Sequence, residues 1–339
     1  MGVMAGLVFT AAALSGALVM LEWRPPERTT VPIEGCAPTQ TPPAELKILS
    51  WNIGYAGLDR EADFFMDGGR GVHARSLERV RENLAAIVKV IQEQNADILL
   101  LQEVDRPSAR TYRIDEVAYL VEKLPGYTWS FAPNFNTWVP VPLRKPMGRV
   151  YSGLLSASRY RFLSAERLQL PTLHPWPVRV FHLKRCLHRL ELEAAGGKRW
   201  VIYNLHLSVF SSGEQRLRQL QYLAARLGED AAAGALVVAG GDFNQAPGDW
   251  KNPNAAPEPE WFRRLPADWL PEGFSMAFDL HTPSLRATDR PYRPGVTFVT
   301  VLDGFVIGPA VELIEVKTLD LDFAHSDHHP VLLRVRLRQ

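Results

Sequence analysis

The sequence predicts an α/β sandwich that contains mixed β-sheets. From residue 46 onward, short apolar runs follow one another with amphipathic segments between them, as strands and helices do within one domain. Some of the apolar runs are continuous, which is typical of strands covered on both faces. Strands and helices do not alternate one by one along the chain. This irregular order favours mixed sheets over a purely parallel arrangement.

The first 45 residues differ from the rest of the chain. Residues 1–21 contain no charged side chain and are just long enough to cross a bilayer, which needs about 20 apolar residues. A buried helix of a globular domain would show a polar face, so we expect residues 1–22 to be a signal sequence or membrane anchor. Residues 23–45 are rich in proline, which blocks helices and removes strand donors, and are predicted to be an extended linker. Residues 46–339 form the remaining domain.

The order of elements in this domain follows from local signals. Residues 47–51 are a predicted strand. Ser76 is a suitable N-cap for a helix whose apolar positions repeat at the helical period, and residues 95–97 end that helix. The other predicted elements are a helix at 214–227 and strands at 98–101, 151–156, 178–183, 187–192, 200–207, 236–239, 296–300, 304–307 and 331–335.

Composition narrows the function only slightly. Lys and Arg number 38 against 37 Asp and Glu, so no overall positive field attracts nucleic acid, which disfavours a non-specific nuclease. Many of the 26 prolines and 9 tryptophans fall outside the periodic segments and indicate long ordered loops, which often carry function. Cys36 lies in the predicted linker and Cys186 in a predicted strand, so two free thiols are favoured over a disulfide.

Clusters of polar residues lie where five of the predicted strands end or begin. A solvated strand end would carry Lys, Ser and Gly as readily, but here carboxylate, amide and imidazole groups dominate. Hard divalent cations such as Mg²⁺ take oxygen ligands, and a nearby histidine can accept or donate a proton near neutral pH. These groups together predict a phosphoryl-transfer site without a covalent nucleophile. The residues are Asn52, Glu103, His206, Asp242, Asn244, Asp327 and His328.

Each cluster alone also has a structural explanation. Asn52 could cap a strand end, Gly-Asp-Phe-Asn could be a turn, and His206 could be a buried core histidine. The Asp327-His328 pair is harder to explain in this way, because it puts an imidazole where a strand entering the core would place apolar side chains. The joint occurrence of the clusters favours chemistry over structure.

Taken in order, these motifs resemble the signature of the endonuclease/exonuclease/phosphatase superfamily. The motifs are Trp-Asn-Ile, Leu-Gln-Glu-Val-Asp, Asn-Leu-His-Leu, Gly-Asp-Phe-Asn, Leu-Asp-Gly-Phe and Ser-Asp-His-His-Pro, and the resemblance extends over residues 46–338. It implies a DNase I-like fold, which is a four-layer sandwich of two mixed β-sheets flanked by helices. It also implies a metal-dependent phosphoric ester hydrolase: a phosphodiesterase, a phosphatase or a nuclease.

The resemblance also implies a metal site. Glu103 matches the principal ligand of a Mg²⁺ ion, with Mn²⁺ as the alternative, and Asn52 and Asp327 match the residues that complete it. Some members of the superfamily carry an acidic residue two positions after the asparagine. Here that position is Gly54, so we expect a single metal ion.

Catalytic roles follow in the same way. His328 matches the general base, or a group that stabilises phosphate charge, and Asp303 matches the carboxylate that orients it. Asp242 and Asn244 match the residues that hold the attacking water and the phosphate.

Four further residues could contact the phosphate. His206 matches a second histidine that binds the phosphate or assists the leaving group. Tyr151 resembles a phosphate-contacting tyrosine, with a core tyrosine as an equal alternative. Arg185 or Arg189 could supply a phosphate-binding cation, and the sequence does not choose between them.

Three segments should decide the substrate, namely residues 55–75, 131–149 and 245–274. Residues 55–75 are flexible and partly apolar, residues 131–149 interleave aromatic side chains with Arg144, Lys145 and Arg149, and residues 245–274 are rich in Pro and Trp. Aromatic side chains together with cations could stack nucleic-acid bases or lie at a membrane interface. The apolar N-terminus favours the second alternative. We therefore expect a membrane-associated phosphodiesterase or phosphatase, anchored or exported with its domain outside the cytoplasm, that acts on a phospholipid or small organophosphate.

Two alternatives stay open. One is an endo- or exonuclease acting on DNA or RNA. The other is a non-catalytic binding module on the same fold, which predicts that Glu103, Asp242 or His328 should be missing, and none is. The oligomeric state does not follow from the sequence.

Overall fold

The computed structural model describes residues 9, 15, 16, 18–36, 41–209, 211–254 and 256–338. The predicted signal sequence or membrane anchor at residues 1–22 lies largely outside them. Within the described part of the chain, no helix has both the length and the apolar character needed to cross a bilayer.

The helices and strands carry labels in chain order. They are β1 (Arg28–Thr30), β2 (Ile33–Gly35), β3 (Glu45–Asn52), α1 (Leu77–Gln94), β4 (Ile98–Asp105), α2 (Glu116–Lys123), β5 (Thr128–Val139), β6 (Gly148–Ser158), β7 (Phe162–Gln169), β8 (Cys186–Glu193), β9 (Arg199–His206), α3 (Gly213–Ala232), β10 (Leu236–Asp242), β11 (Ser275–Ala277), β12 (Leu285–Arg286), β13 (Val299–Thr300), β14 (Asp303–Ile307), β15 (Val311–Thr318) and β16 (Val331–Leu337).

Two seven-stranded sheets form the body of the molecule. Sheet I has the order β15-β16-β3-β4-β6-β5-β2, and sheet II has the order β1-β7-β8-β9-β10-β14-β11. The pairs β3–β4 and β9–β10 are parallel, and the other neighbours in the two sheets are antiparallel. Both sheets are therefore mixed, as predicted. Strands β12 and β13 pair separately as a short ribbon.

Three apolar layers hold the sheets and helices together. Helices α1 and α2 cover the outer face of sheet I, and Leu84 and Leu120 are fully buried there. Leu100 of sheet I and Phe305 of sheet II are fully buried between the two sheets. Helix α3 covers sheet II through Leu223 and its neighbours. Burial of each such side chain contributes about 1.5–3 kcal/mol, and the result is the predicted four-layer DNase I-like sandwich.

Helix α1 shows how local sequence sets an element. The Ser76 side chain accepts a hydrogen bond of 3.1 Å from the backbone N–H of Arg79, which satisfies one free donor of the first turn. Asn95 ends the helix with a φ of 51°, a left-handed conformation that asparagine tolerates better than most residues. Both ends agree with the sequence prediction.

The segment predicted as a linker contributes an edge strand to each sheet. β1 pairs with β7 at the edge of sheet II, and β2 pairs with β5 at the edge of sheet I. Val31 lies between these strands and is buried in the layer between the sheets. Proline is tolerated beside short edge strands because only one side of such a strand needs donors.

Two strand predictions differ from the structure. The predicted strand at 178–183 is instead a 3₁₀ turn at Val178–Phe181, where Pro175 and Pro177 fix φ and remove backbone donors just before it. The predicted strand at 296–300 shortens to Val299–Thr300. Helix α2 and strands β5, β7, β11, β12 and β15 were not predicted. Both cysteines are free, as expected.

Candidate active site

The predicted site residues meet where the central strands of both sheets end. Asn52 ends β3, and His206 and Asp242 lie side by side at the ends of β9 and β10. Asp303 begins the antiparallel strand β14 directly opposite Asp242. Because the carboxyl ends of parallel strands meet at one edge of a sheet, these side chains converge on one cavity.

The site is divided between the two sheets. Glu103 from β4, and Asp327 and His328 just before β16, come from sheet I together with Asn52. His206, Asp242 and Asp303 come from sheet II. The predicted metal ligands therefore all come from one sheet, and most of the predicted phosphate-side residues come from the other.

Glu103 reaches the cavity through an irregularity in β4. The pairing of β4 with β6 shifts register between Leu101 and Val104, and Glu103 has a φ of 53°. A non-glycine residue in this left-handed conformation costs on the order of 1 kcal/mol or more and is often found at functional sites. The Glu103 Oε1 atom lies 3.5 Å from Asn52 Nδ2 and 3.9 Å from His206 Nε2.

Asp303 and His328 form a buried pair. His328 Nδ1 lies 2.7 Å from Asp303 Oδ2, and because an ionised carboxylate only accepts, Nδ1 donates in this bond. The hydroxyl of Ser284 donates a second bond of 2.7 Å to the same Asp303 oxygen. Ser284 Oγ in turn accepts from the backbone N–H groups of Leu302 and Asp303. This arrangement fixes the imidazole so that Nε2 faces Asn52 and the cavity.

The charge of His328 follows from its neighbours. Burial alone would lower its pKa, but Asp303 and Asp242 raise the pKa of His328 to about 10. These carboxylates therefore favour the protonated imidazole at neutral pH. Of the two roles that the family resemblance implies, stabilisation of phosphate charge fits this protonated state better than proton abstraction.

Asp242 is surrounded by nitrogen atoms. Its Oδ2 accepts from Asn52 Nδ2 at 3.2 Å and lies 3.2 Å from His206 Nε2 and 3.8 Å from His328 Nε2. The backbone N–H of Asn244 donates to its other oxygen at 2.8 Å. Burial nevertheless raises the pKa of Asp242, against the effect of His328. Burial and Arg185 lower the pKa of His206 well below its usual value, so His206 is uncharged.

Asp327 lies against the backbone at Gly54. Burial raises the pKa of Asp327 to about 6, and Glu103 adds to this rise. A Cβ atom at Gly54 would lie 2.8 Å from Asp327 Oδ1, and Gly54 has a φ of 52°. A side chain at the position that some members of the superfamily fill with an acidic residue would therefore have to displace the carboxylate of Asp327.

The donor set fits a hard divalent cation. Four carboxylates approach one another in the site. Arg185 and His328 face them, Arg286 acts on Asp327, and Arg110 acts on Glu103 while it pairs with Asp105. Glu103 and Asp67 add to the rise in the pKa of Asp327 that burial causes, and a bound cation would oppose this rise. Glu103 is only about a quarter exposed and makes one weak hydrogen bond, so its oxygens are free to bind metal.

Asp242, Asp303 and His328 form a second group of possible metal ligands. Ligand atoms of Asp242, Asp303 and His328 all lie within 4.8 Å of one another. The Asp303 oxygen and the His328 nitrogen that approach each other are already hydrogen-bonded, so this trio is better described as a proton-handling group. The predicted ligands Glu103 and Asp327, with Asn52 beside them, remain the better candidates for the metal.

The structure distinguishes between the two candidate arginines. Arg185 lines the cavity, and its guanidinium donates to the backbone oxygen of His206 at 3.3 Å. Arg189 instead pairs with Asp230 at 2.6 Å and with Glu166 on the outer side of sheet II. Of these two arginines, Arg185 is therefore the one placed to meet a phosphate in this cavity.

Tyr151 does not reach the site. Its ring packs edge-on against Phe131, with ring centres 5.9 Å apart, beside the apolar layer under helices α1 and α2. The alternative of a core tyrosine therefore fits its position. Asn244, by contrast, lines the cavity, and its side chain donates to the backbone oxygen of Leu207 at 2.8 Å.

Sequence reasoning missed Ser284. It lies just before β12, and no motif or spacing in the sequence marks it as a partner of Asp303. Only the fold brings the short β12–β13 ribbon against the start of β14.

The cavity has a volume of about 360 Å³. The catalytic groups occupy one end. Two of the segments predicted to decide the substrate, 55–75 and 131–149, line its walls, and the third contributes Trp261. The turn at Val178–Phe181 closes the remaining side.

Several known proteins share this fold. A structure from Beutenbergia cavernae described as an endonuclease/exonuclease/phosphatase is 21% identical, with a TM-score of 0.60, over 87% of this chain and 72% of that one. The human Nocturnin catalytic domain with bound sulfate is 20% identical, with a TM-score of 0.55, over 93% and 100%. D. rerio TDP2 in complex with a single-strand DNA product is 16% identical, with a TM-score of 0.56, over 87% and 100%.

A search of curated proteins gives no significant match. The family model of the endonuclease/exonuclease/phosphatase family matches residues 49–328, which include the motif residues from Asn52 to His328. Enzymes of this family hydrolyse phosphoester bonds and generally use divalent metal ions. The chain belongs to the endonuclease/exonuclease/phosphatase family.

Proposed function

We propose that this protein is a divalent-metal-dependent hydrolase of phosphate esters, acting as a phosphodiesterase or phosphatase. The observation that carries this proposal is the hydrogen-bonded Asp303–His328 pair, which faces Asp242 and Glu103 across one cavity. A binding module would not need a buried carboxylate and a protonated imidazole held in this way. The metal, Mg²⁺ or Mn²⁺, would be held by Glu103 and Asp327, with Asn52 beside them.

The chemistry can be assigned to residues of this chain. A metal ion held by Glu103 and Asp327 would neutralise negative charge that develops in the reaction. Asp242, whose pKa is raised by burial, is a stronger base than an exposed carboxylate and can take the proton of the attacking water. A bond from the water oxygen to phosphorus forms as the bond to the leaving oxygen breaks. His328 offers its Nε2 proton to a phosphate oxygen or the leaving group, and Arg185 balances the remaining charge.

Membrane association is part of the proposal, and one contact supports it. Glu22 directly follows the apolar segment, and its side chain, which is 3% exposed, pairs with Arg179 at 2.9 Å and Lys184 at 3.5 Å. Arg179 belongs to the Val178–Phe181 turn, which lines the cavity, and Lys184 follows that turn. If a membrane holds residues 1–21, the chain enters the domain next to the cavity. The cavity would then lie near the bilayer. We propose that the domain faces the extracytoplasmic side, and that the substrate is a phospholipid or small organophosphate.

The second candidate is a nuclease acting on DNA or RNA. Arg144 and Lys145 are exposed at the tip of the β5–β6 hairpin, and Trp261 in the cavity could stack a base. The shared fold of D. rerio TDP2, which was solved with a DNA product, is compatible with this function. A substrate panel of DNA, RNA, nucleotides, inositol phosphates and phospholipids decides between the two.

The proposal is tested by hydrolysis of bis(4-nitrophenyl) phosphate with Mg²⁺, with Mn²⁺ and with a chelator. We expect the chelator to abolish turnover and Mg²⁺ or Mn²⁺ to restore it. Glu103→Gln should lower kcat/KM by roughly 10²–10³-fold because it removes a metal charge partner. Glu122→Gln is the matched control, since Glu122 is exposed on α2, and it should leave the rate unchanged. Hydrolysis that persists in the chelator, or in Glu103→Gln, would contradict the proposal.

A further inference from the structure

One wall of the cavity is apolar from the catalytic end to the mouth. The β5–β6 hairpin contributes Phe135, Val139 and Met147, which are at most 7% exposed. Phe181 and Leu183 line the cavity beside them. Away from the cavity, the hairpin side chains pack into an apolar cluster of their own, so the wall is held in place and cannot collapse into the space.

Some of the polar groups near this wall are already engaged. The carboxylate of Asp67 accepts the hydroxyl proton of Thr288, and the guanidinium of Arg110 pairs with Asp105 at 2.8 Å. Burial lowers the pKa of His182 to about 4, so its imidazole is uncharged. A sugar hydroxyl, a base edge or a second phosphate placed against the apolar side chains themselves would lose its hydrogen bonds to water and find no partner there. Each loss disfavours such a ligand.

The apolar wall begins where the phosphate must bind. Glu103, Asp242, His328 and Arg185 lie in the same cavity, so an ester whose phosphate contacts them extends its substituent along the wall. We infer that this wall, the apolar subsite, binds a hydrocarbon chain of the substrate, and that the enzyme prefers phosphate esters with an alkyl or acyl substituent. This inference rests on the hydrolase proposed above and names its substrate class.

The mouth of the cavity continues the apolar subsite to the protein surface. Val141 and Val178 line the mouth and are 44% and 46% exposed. Leu143, at the hairpin tip two residues beyond Val141, is 87% exposed. A hydrocarbon chain longer than the cavity can therefore pass out between the hairpin and the Val178–Phe181 turn without meeting a polar wall.

The test uses n-alkylphosphonates, which present a phosphate-like group on a C–P bond that a phosphate-ester hydrolase does not cleave. Binding of ethyl-, butyl-, hexyl- and octylphosphonate to the full chain with Mg²⁺ is measured by calorimetry below the micelle concentration. Burial of one methylene contributes about 0.8 kcal/mol, so the Kd should fall about fourfold per added CH₂ until the chain reaches the mouth. Equal affinity for the whole series, or affinity that falls with length, would overturn the inference.

Two variants locate the effect in the apolar subsite. Phe181→Gln should weaken octylphosphonate binding roughly tenfold or more and leave ethylphosphonate within about twofold, because only the longer chain reaches the ring. Val141→Asn changes an exposed side chain, so it keeps the fold and should weaken only the longest chain. Val296→Asn is the matched control, since Val296 is exposed away from the cavity and should have no effect. An equal loss for all chain lengths in Phe181→Gln would also overturn the inference.

Binding and turnover separate the two proposals. Chain-length-dependent binding without hydrolysis of any phosphate ester leaves the apolar subsite standing and removes the proposed function. Hydrolysis of phosphate esters without any dependence of binding on chain length supports the proposed function and removes the apolar subsite. Phosphate release from a long-chain ester, measured in phosphatidylcholine vesicles and as free monomer, then shows whether the hydrocarbon comes from a bilayer or from a soluble amphiphile.

Discussion

Replacement of Asp303 by asparagine tests the electrostatics of the site most directly. Asp303 accepts from His328 Nδ1 and from Ser284, both at 2.7 Å, and is completely buried. The asparagine side chain would keep nearly the same shape but carry no charge. The substitution therefore removes the main cause that raises the pKa of His328 and leaves the packing close to that of the native protein.

The size of the effect follows from the pKa. Burial lowers the pKa of His328, and the neighbouring carboxylates raise it to about 10, against an ordinary value near 6.5. Since one pKa unit corresponds to about 1.4 kcal/mol, the fold favours the protonated form by about 5 kcal/mol. Asp303 is the largest of the opposing charges. Without it, burial dominates and the pKa of His328 should fall to about 6.5 or below.

The assay is kcat for bis(4-nitrophenyl) phosphate as a function of pH. Asp303→Asn should lower kcat at pH 8 by roughly 10²–10⁴-fold, because His328 is then largely neutral and cannot stabilise negative charge. The remaining kcat of the variant should fall as the pH rises through about 6.5. The pH–rate profile of the native protein should show no such fall near that pH. Asp320→Asn is the matched control, because Asp320 is an exposed aspartate beside His329 and should leave kcat unchanged. An unshifted pH profile with a loss below tenfold would refute this reasoning.

Two further predictions concern stability and the metal site. Burial lowers the pKa of His188 to about 3, so stability should be full above about pH 6.5 and fall as the pH drops towards 3, by about 2 kcal/mol at pH 5. Urea unfolding at pH 7 and pH 5 should show this difference shrink in His188→Gln, and an equal difference in both proteins would contradict it. Gly54→Asp should weaken Mg²⁺ activation, because its Cβ would lie 2.8 Å from Asp327 Oδ1 at a φ of 52°. A metal titration of the rate checks this, and tighter activation would indicate a second metal ion instead.

The sequence predicted elements whose signals are local. Helix α1 was predicted because its cap at Ser76 and its apolar period are both visible in the chain. The 3₁₀ turn at Val178–Phe181 was predicted as a strand, because valine and phenylalanine in alternation indicate a strand unless the preceding prolines are weighed more heavily. Strand β5 was partly read as a substrate loop, since Pro133 and two asparagines break its pattern. Tertiary pairing with β6 overrides these local preferences.

The site was predicted as a set of residues, but not as a set of contacts. The ordered motifs identified Glu103, Asp242 and His328, which the structure brings into one cavity. Arg185 and Arg189 are four residues apart, so the alternation of a strand places both on the same face and does not distinguish them. The structure does, because Arg185 precedes β8 at the cavity, whereas Arg189 lies within β8 and pairs with Asp230. The partner Ser284 lies 19 residues from Asp303, and no local pattern links them.

The division of the site between the two sheets has a consequence for how the enzyme loses activity. The groups proposed to hold the metal are fixed to one sheet, and Asp242, His206 and Asp303 are fixed to the other. A slip of the two layers by about 1 Å would leave both sheets hydrogen-bonded internally and yet separate the two halves of the reaction centre, and such misplacement can lower a rate about 10²-fold. The rate of hydrolysis therefore depends on how accurately the two sheets pack on each other. Mild denaturant should abolish hydrolysis before circular dichroism records any loss of strand structure.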